Sequence, residues 1–566
     1  MKRTTAVTRR DFLKSVGKYS IVTAGSSLLT ISCHSRSGTS ALSTWGYDMV
    51  IKGGLVYDGS GKAPVVTDIG VRGDRITCLG DLPAENARTI DATGCVVTPG
   101  FVDVHTHCDL MFRNIQGAGA PIDSLPADFL GNYNYLFQGV TTVVDGNCGY
   151  GYDDMNQYYG ILDRVRFGTN ICYLVPHGMI RQFFFKDDQP TALDAQQLAL
   201  MKKKVAEEMS KGAFGLSTGL EYAPGCFSLT EELIEIAKVV REHGGIYATH
   251  IRNLTGKVEK NEIGIFKALD EAIRIGKAAD IPVQLSHLQV NLPWSGVTPS
   301  QVLERIYKAR SEGLDITGDI HSYYVGLGPM NYRLPEKFKT QSGIKDMYKT
   351  PPGRQEIIEA VEHIFTYLSP DKIQIYWYEK NPAYNMKFLS EIPGLPGNEA
   401  RTAAECYVDI VSEGAPFAYF HEINPEVMRS IIPQDHVFIA SDGWTASQGF
   451  PMNAHPRSYD NSIKVICDYV LKEKLMDLQA AIRKMTSLPA EKFRIAERGR
   501  IQKGYFADIT VIDLGKLKSN ATFENPRRYS EGIKHLLVNG VPAIEDGKAT
   551  GQRAGRTLRL KSVIQT

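Results

Sequence analysis

Two histidines two residues apart, His105 and His107, end the run VVTPGFVDVHTH, and their spacing is the first sign of chemistry in the chain. Alternate residues of a strand point to one side, so both imidazoles can face the same space at the strand's end. Two neutral imidazoles on a stiff backbone supply half of a transition-metal site. An isolated pair is as easily two ordinary histidines, but the Pro-Gly turn and continuous apolar run before this one suit the C-terminal mouth of a barrel strand. Other residues of ligand type close other apolar runs. Cys148 ends TTVVDGNC, His250 ends IYATH, His287 ends VQLSH and Asp442 ends VFIASD. Buried cysteine is common and a core histidine usually bonds a carbonyl, yet so many ligand types on one rim do not arise readily by chance.

The elements that must position them follow from the same runs. Each is short and rich in β-branched or aromatic residues, as a strand buried on both faces should be. Segments long enough for a helix separate them, the rhythm of a parallel sheet. Eight such runs are present: FVDVH, TTVVD, ICYLV, AFGLS, GIYAT, PVQLS, LDITGDI and VFIAS. Eight βα units close into a (β/α)8 barrel whose chemistry sits at the C-terminal strand ends, here expected over residues 98–498. The flanks, 47–97 and 499–560, alternate apolar and polar residues between glycine turns, the pattern of antiparallel β structure. Barrel termini lie close in space, so the two flanks are expected to pair into one small β-sandwich. Residues 327–372, with Pro335, Pro351-Pro352 and many charges, read as an insertion between the seventh and eighth barrel strands, where lids often sit.

Composition narrows the partners. The chain has 566 residues, a formal net charge of +1 and 22% charged residues, with both signs mixed along its length. That balance favours neither nucleic acid nor a polybasic membrane surface. After the first forty residues, no apolar stretch approaches the roughly 20 residues needed to cross a bilayer. Residues 1–40 are different in kind. Thr8-Arg9-Arg10-Asp11-Phe12-Leu13-Lys14 precedes a weakly apolar stretch and then small polar residues, the form of a twin-arginine export signal and linker. Cys33 follows Leu28-Leu29-Thr30-Ile31-Ser32, an imperfect lipobox because Thr30 replaces an aliphatic residue. The expected location is therefore the periplasm, or the cell envelope through a lipid anchor at Cys33. The nine cysteines show no paired spacing and form no disulfide framework. A bound metal would protect Cys148 from oxidation in such a compartment.

The motifs PGFVDVHTH, TTVVDGNCG, GAFGLSTGLEYAPG, YATHIRN, LSHLQ, IASDG and HPRSY, with the tail MTSLPAEKFRIAERGRIQKGYFADITVID, are similar to those of the D-aminoacylase (N-acyl-D-amino-acid deacylase) branch of the amidohydrolase superfamily. The resemblance covers essentially the whole chain from Tyr47 to Arg559. It implies one tightly bound zinc held by Cys148, His250 and His287, with His105, His107 and Asp442 forming a second position, weakly filled or empty. A thiolate and two imidazoles leave a fourth tetrahedral position open, as a hydrolase needs. Zinc would polarise the acyl carbonyl, and Asp442 would take the proton of the attacking water and pass it to the departing amine.

For the substrate, the resemblance makes Arg457 of HPR the carboxylate anchor, a planar bidentate partner. Tyr323 is a further contact, with Tyr324 as the alternative register. Gln289 stands where the branch commonly has lysine. The missing charge implies a weaker carboxylate grip, or a substrate carrying an amide or peptide there. His177 in YLVPHG matches a family motif and reads as structural. The implied activity is hydrolysis of N-acyl-D-amino acids, or of dipeptides with a C-terminal D-residue. The alternatives are a cyclic amidohydrolase of the dihydroorotase or hydantoinase kind, and a non-catalytic binding protein, which the retained Cys148, His250, His287 and Asp442 disfavour.

The export signal yields a direct prediction. Replacing Arg9 and Arg10 with lysine should leave uncut precursor in the cytoplasm, as cell fractionation and the mass of the product will show. Normal export of that variant excludes the twin-arginine route.

Overall fold

Eight short parallel strands form the central sheet: β1 Phe101–Asp103, β2 Val140–Asp145, β3 Asn170–Pro176, β4 Gly215–Gly219, β5 Ile246–His250, β6 Val283–Leu285, β7 Ile316–Ile320 and β8 Val437–Ile439. They belong to a computed structural model that describes residues 46–561, apart from 186–191, 256–257, 260–261, 290, 292–296, 415 and 451–453. The expected export segment, Cys33 included, lies outside the described residues. Strand order in the sheet follows the chain from β1 to β8, and every neighbouring pair is parallel. These are the eight runs read from the sequence. Every residue of β2 and β3 is buried, which is why their apolar character is continuous rather than alternating.

The barrel closes just beyond the ends of β8 and β1. Thr106 bridges Gly443, the His107 amide donates to the Gly443 carbonyl at 2.7 Å, and the Asp442 amide donates to the His105 carbonyl at 2.8 Å. The Asp103 carboxylate pins this seam, accepting from the amides of Ser441 at 3.0 Å and His105 at 3.1 Å.

Helices pack outside the sheet. In the helix Thr230–Glu242 the buried residues include Leu233, Ile236, Ala237 and Val240, a stripe at helical spacing that faces the core. The helix Pro299–Ser311 starts at a capping box between Thr298 and Gln301, with proline at its first position.

The two flanks meet in one nine-stranded sheet, in which Val96–Pro99 pairs antiparallel with Ile509–Ile512. The described flank strands thus share a single hydrogen-bonded sheet. It has its own apolar core, in which Ile51, Ile69, Val97, Ile509 and Leu537 meet. A buried polar knot joins the sheet to the start of β3. The Arg498 guanidinium pairs with Asp508 and donates to Asn539 Oδ1 at 2.7 Å; Asn170 Nδ2 donates to Asp508 at 3.2 Å, and Asn539 Nδ2 to Asn170 Oδ1 at 2.8 Å.

Between β7 and β8 the chain leaves the barrel to build a small subdomain. Its three-stranded sheet orders Gly326–Pro329, Phe417–Phe420 and Ile373–Ile375, and the helices Gln341–Tyr348, Pro351–Phe365 and Ala403–Glu413 pack on it. Its core, around Ile357, Val361, Tyr407, Val411 and Phe420, is separate from that of the barrel. The excursion expected at 327–372 therefore runs on through Phe420. Its second half escapes a sequence reading because a helix followed by FAYF imitates one more barrel unit. Among the described residues, no helix is long and apolar enough to cross a membrane.

The polar knot supplies the prediction. Asp508→Ala would leave the buried Arg498 without its counter-ion, and should lower unfolding stability by about 3–5 kcal/mol, read as a fall in the denaturant midpoint.

Candidate metal centre

The strand ends bring the predicted ligands to one place. His105 and His107 leave β1, Cys148 leaves β2, His250 ends β5, His287 follows β6 and Asp442 follows β8, and all but Asp442 are buried outright. His105 Nε2 lies 3.2 Å and His287 Nε2 3.7 Å from Cys148 Sγ. On the other side, Asp442 Oδ1 is 3.1 Å from His107 Nε2 and 3.5 Å from His105 Nε2. Two groups result, His105 with Cys148 and His287, and His105 with His107 and Asp442, each with ligand atoms within 4.8 Å of one another. His105 thus belongs to both. His250 stands one step out: its ring is 4.4 Å from that of His287, and it hydrogen-bonds the Cys148 thiol.

The backbone bends sharply where these side chains turn inward. Cys148, His287 and Asp442 have φ of 55°, 32° and 50°, the left-handed region that non-glycine residues seldom occupy. Before Cys148, Gly146 has φ of 77°, and a Cβ there would come within 2.2 Å of the Leu174 carbonyl oxygen. The GNCG turn after β2 therefore needs its first glycine to carry the thiol past β3.

Two imidazoles are backed by buried carboxylates. His105 Nδ1 is 3.0 Å from Asp319 Oδ1, which also accepts from the His287 amide at 2.7 Å. His250 Nε2 is 2.9 Å from Glu221 Oε2. Such partners fix the tautomer and orientation of a metal-binding histidine.

The charges are strongly coupled. Burial alone would pull the His105 imidazole down, but the Cys148 thiolate and the Asp319 and Asp442 carboxylates hold it well above its ordinary value. His107 and His250, against the same burial, are pushed up to about 9 by bonds to Asp442 and Cys148, and to Cys148 and Glu221, respectively. Burial raises the Cys148 thiol; His105 outweighs it and leaves the sulfur well below its usual range. A thiolate and a carboxylate enclosed with imidazoles form a donor set that fits a divalent cation, and sulfur with imidazole nitrogen suits zinc chemistry. The buried Nδ1 atoms of His107 and His287 have no partner.

The expected substrate residues are placed unequally. Arg457, buried at the start of the helix Arg457–Lys464, meets Asp442 Oδ2 through Nη2 at 2.9 Å. Gln289 is buried and its side-chain amide bonds His321 Nε2. His321 Nδ1 accepts from the Tyr323 amide at 3.2 Å, and its Nε2 faces Gln289 Nε2. The Tyr323 hydroxyl donates to the Ala521 carbonyl at 3.2 Å, and that of Tyr324 pairs with Tyr469 at 3.1 Å. His177 lies 3.3 Å from Glu232, a structural partner. The residues that sequence reasoning missed are Asp103, Asp319 and Glu221. Asp319 had a signal, the second of two acids in the otherwise uncharged run LDITGDI.

A closed parallel barrel with thiolate, imidazoles and carboxylate at its C-terminal mouth defines an amidohydrolase. The amidohydrolase family profile matches residues 412–544. N-acyl-D-glutamate deacylase of Alcaligenes xylosoxydans xylosoxydans is 32% identical over 91% of this chain and 97% of its own length. The structure of N-acyl-D-glutamate deacylase from Bordetella bronchiseptica, complexed with zinc and a phosphonate mimic of the reaction's tetrahedral intermediate, superposes with a TM-score of 0.74. It is 28% identical, over 91% of this chain and 99% of that one. A D-aminoacylase described by its binuclear metal centre, with one-metal activation and second-metal attenuation, gives a TM-score of 0.74 at 28% identity, over 91% and 100% of the two chains. The chain belongs to the D-aminoacylase family of amidohydrolases.

The geometry makes Cys148 central to metal capture. Cys148→Ala should lose bound zinc in elemental analysis while its circular dichroism and melting remain those of a folded barrel. Full zinc occupancy in that variant would return the thiol to a packing role.

Proposed function

We propose that this chain is a zinc-dependent deacylase that hydrolyses the amide bond of N-acyl-D-amino acids, or of dipeptides with a C-terminal D-residue. The observation that carries the reading is the Asp442–Arg457 pair on the edge of the thiolate–imidazole cluster. It sets a proton acceptor and a carboxylate-binding guanidinium side by side, as cleavage next to an α-carboxylate requires. Cys148, His250 and His287 would hold the tight zinc, and His105, His107 and Asp442 a second, weaker one. Bound there, zinc supplies a Lewis acid for the acyl carbonyl and for water activation.

The chain's own residues do the rest. Burial would raise the Asp442 carboxyl, but Arg457, His105 and His107 hold it well below the usual range, so it is ionised at neutral pH. It can then take the proton of the attacking water and return it to the departing amine nitrogen. A substrate carboxylate reaching Arg457 competes for the guanidinium that Asp442 now holds, which makes Asp442 a stronger base once substrate is seated. Gln289, neutral and bonded to His321, adds no charge at the carboxylate end and favours an amide or peptide there. Tyr323 can reach a substrate only by releasing the Ala521 carbonyl.

We place the enzyme outside the cytoplasm, in the periplasm or anchored by lipid at Cys33. Arg9-Arg10 and the segment behind them support this.

The reading is tested with purified zinc-loaded enzyme on paired N-acyl-D- and N-acyl-L-amino acids and on hydantoins. Hydrolysis of the D-series alone is expected; turnover of hydantoins alone would select the cyclic amidohydrolase. In the same assay Asp442→Asn should keep its zinc and lose roughly 10²–10⁴-fold in kcat, the usual loss for a general base.

A further inference from the structure

We propose that Arg333, carried by the inserted subdomain, is a positioning residue for the metal centre: through Glu221 it fixes the His250 imidazole. The inference rests on the zinc assignment above. Glu221 sits two residues beyond β4 and uses its two oxygens in different directions. Oε2 meets His250 Nε2 at 2.9 Å, while Oε1 lies 3.3 Å from Arg333 Nη1. The other arm of the guanidinium pairs with Glu422, which also accepts from Tyr332 Oη at 3.3 Å and Asn291 Nδ2 at 2.9 Å. The side chains of Arg333, Glu221 and Glu422 are only 3%, 6% and 2% exposed, so water does not compete for these contacts.

His105 and His250 differ in what holds the carboxylate behind them. Asp319, behind His105, is fixed from within the barrel: Gln284 Nε2 donates to it at 2.8 Å and the His287 amide at 2.7 Å. Glu221, behind His250, is fixed from outside the barrel by Arg333, a residue of the excursion between β7 and β8. A carboxylate clamped at both oxygens cannot rotate about its last bond. The ring it holds keeps Nε2 on the carboxylate and leaves Nδ1 for the cluster. Without Arg333 the carboxylate is free to turn, and the ring with it. A tie serving stability alone would not need to pass through Glu221, because Arg333 also pairs with Glu422 and the Lys339 ammonium bonds the Glu221 carbonyl oxygen. Seating of the subdomain and readiness of His250 are thereby one event.

The test measures zinc affinity by chelator competition, with the visible spectrum of the cobalt-substituted protein and its melting temperature. Arg333→Met should weaken zinc about 10- to 100-fold, as loss of a residue supporting a metal ligand does, and should shift the cobalt spectrum. Glu221→Gln should do the same, and the double variant should be no worse than the worse single, because both act on one ring. Arg333→Lys, which keeps a cation at Glu221, should recover part of the loss. Should Arg333→Met fail to fold, Arg333→Met/Glu422→Gln removes the stranded carboxylate and must show the same zinc defect. Unchanged zinc affinity in either folded variant, or additive losses in the double variant, overturns the proposal while the deacylase reading stands. A wild-type protein that binds no zinc overturns both.

Discussion

One buried carboxylate decides whether this barrel has a site. Asp103 ends β1, and its oxygens hold the amides of Ser441, after β8, and of His105. Burial pushes its carboxyl up to about 7 even against these hydrogen bonds. An enclosed acid is tolerated because it satisfies amides that otherwise have no partner where the eighth strand meets the first. If that seam opened, His105 and His107 on one side and Asp442 on the other would separate, and the group they form would not exist. Barrel closure and site assembly are the same contact.

Around the seam the charges are arranged so that no single group can be understood alone. Cys148, Asp442, Asp319 and Glu221 bring negative charge into a space with little water, and the imidazoles, Arg457 and Arg333 answer it. His105, His107 and His250 are held high and the thiol and Asp442 low because each stabilises the other's charged form, in spite of burial. A dication held by this set would take the place of protons on the imidazoles, so metal binding and proton release would belong to one equilibrium. Arg457 stands at the border between that set and the substrate, and the guanidinium that steadies Asp442 is the group a substrate carboxylate would claim.

Much of this was legible in the sequence. Fully buried parallel strands leave continuous apolar runs, so all eight barrel strands could be read, and the candidate ligand residues were visible because each closes one of them. The carboxylates behind the ligands were not. Asp319 lies 214 residues from His105, and nothing local says which imidazole it serves. Glu221 follows β4 with nothing local to tie it to His250, and Arg333 is one charge among many in a charged insertion. The grouping of ligands was equally hidden. Spacing can place His105, Cys148 and His287 on one rim, but only the barrel's curvature brings them within contact.

The inserted subdomain leaves and rejoins the barrel at adjacent points, since Gly326 pairs with Phe420. To the barrel it is a tight loop whatever its length, so the chain entropy of closing the eighth strand onto the first hardly depends on what the loop contains. A self-cored module on such a stem is free to diverge, by recombination as well as by point change, without disturbing the strands that carry the ligands. Any change in the module has to keep the buried contact at Glu221 that ties it to the barrel.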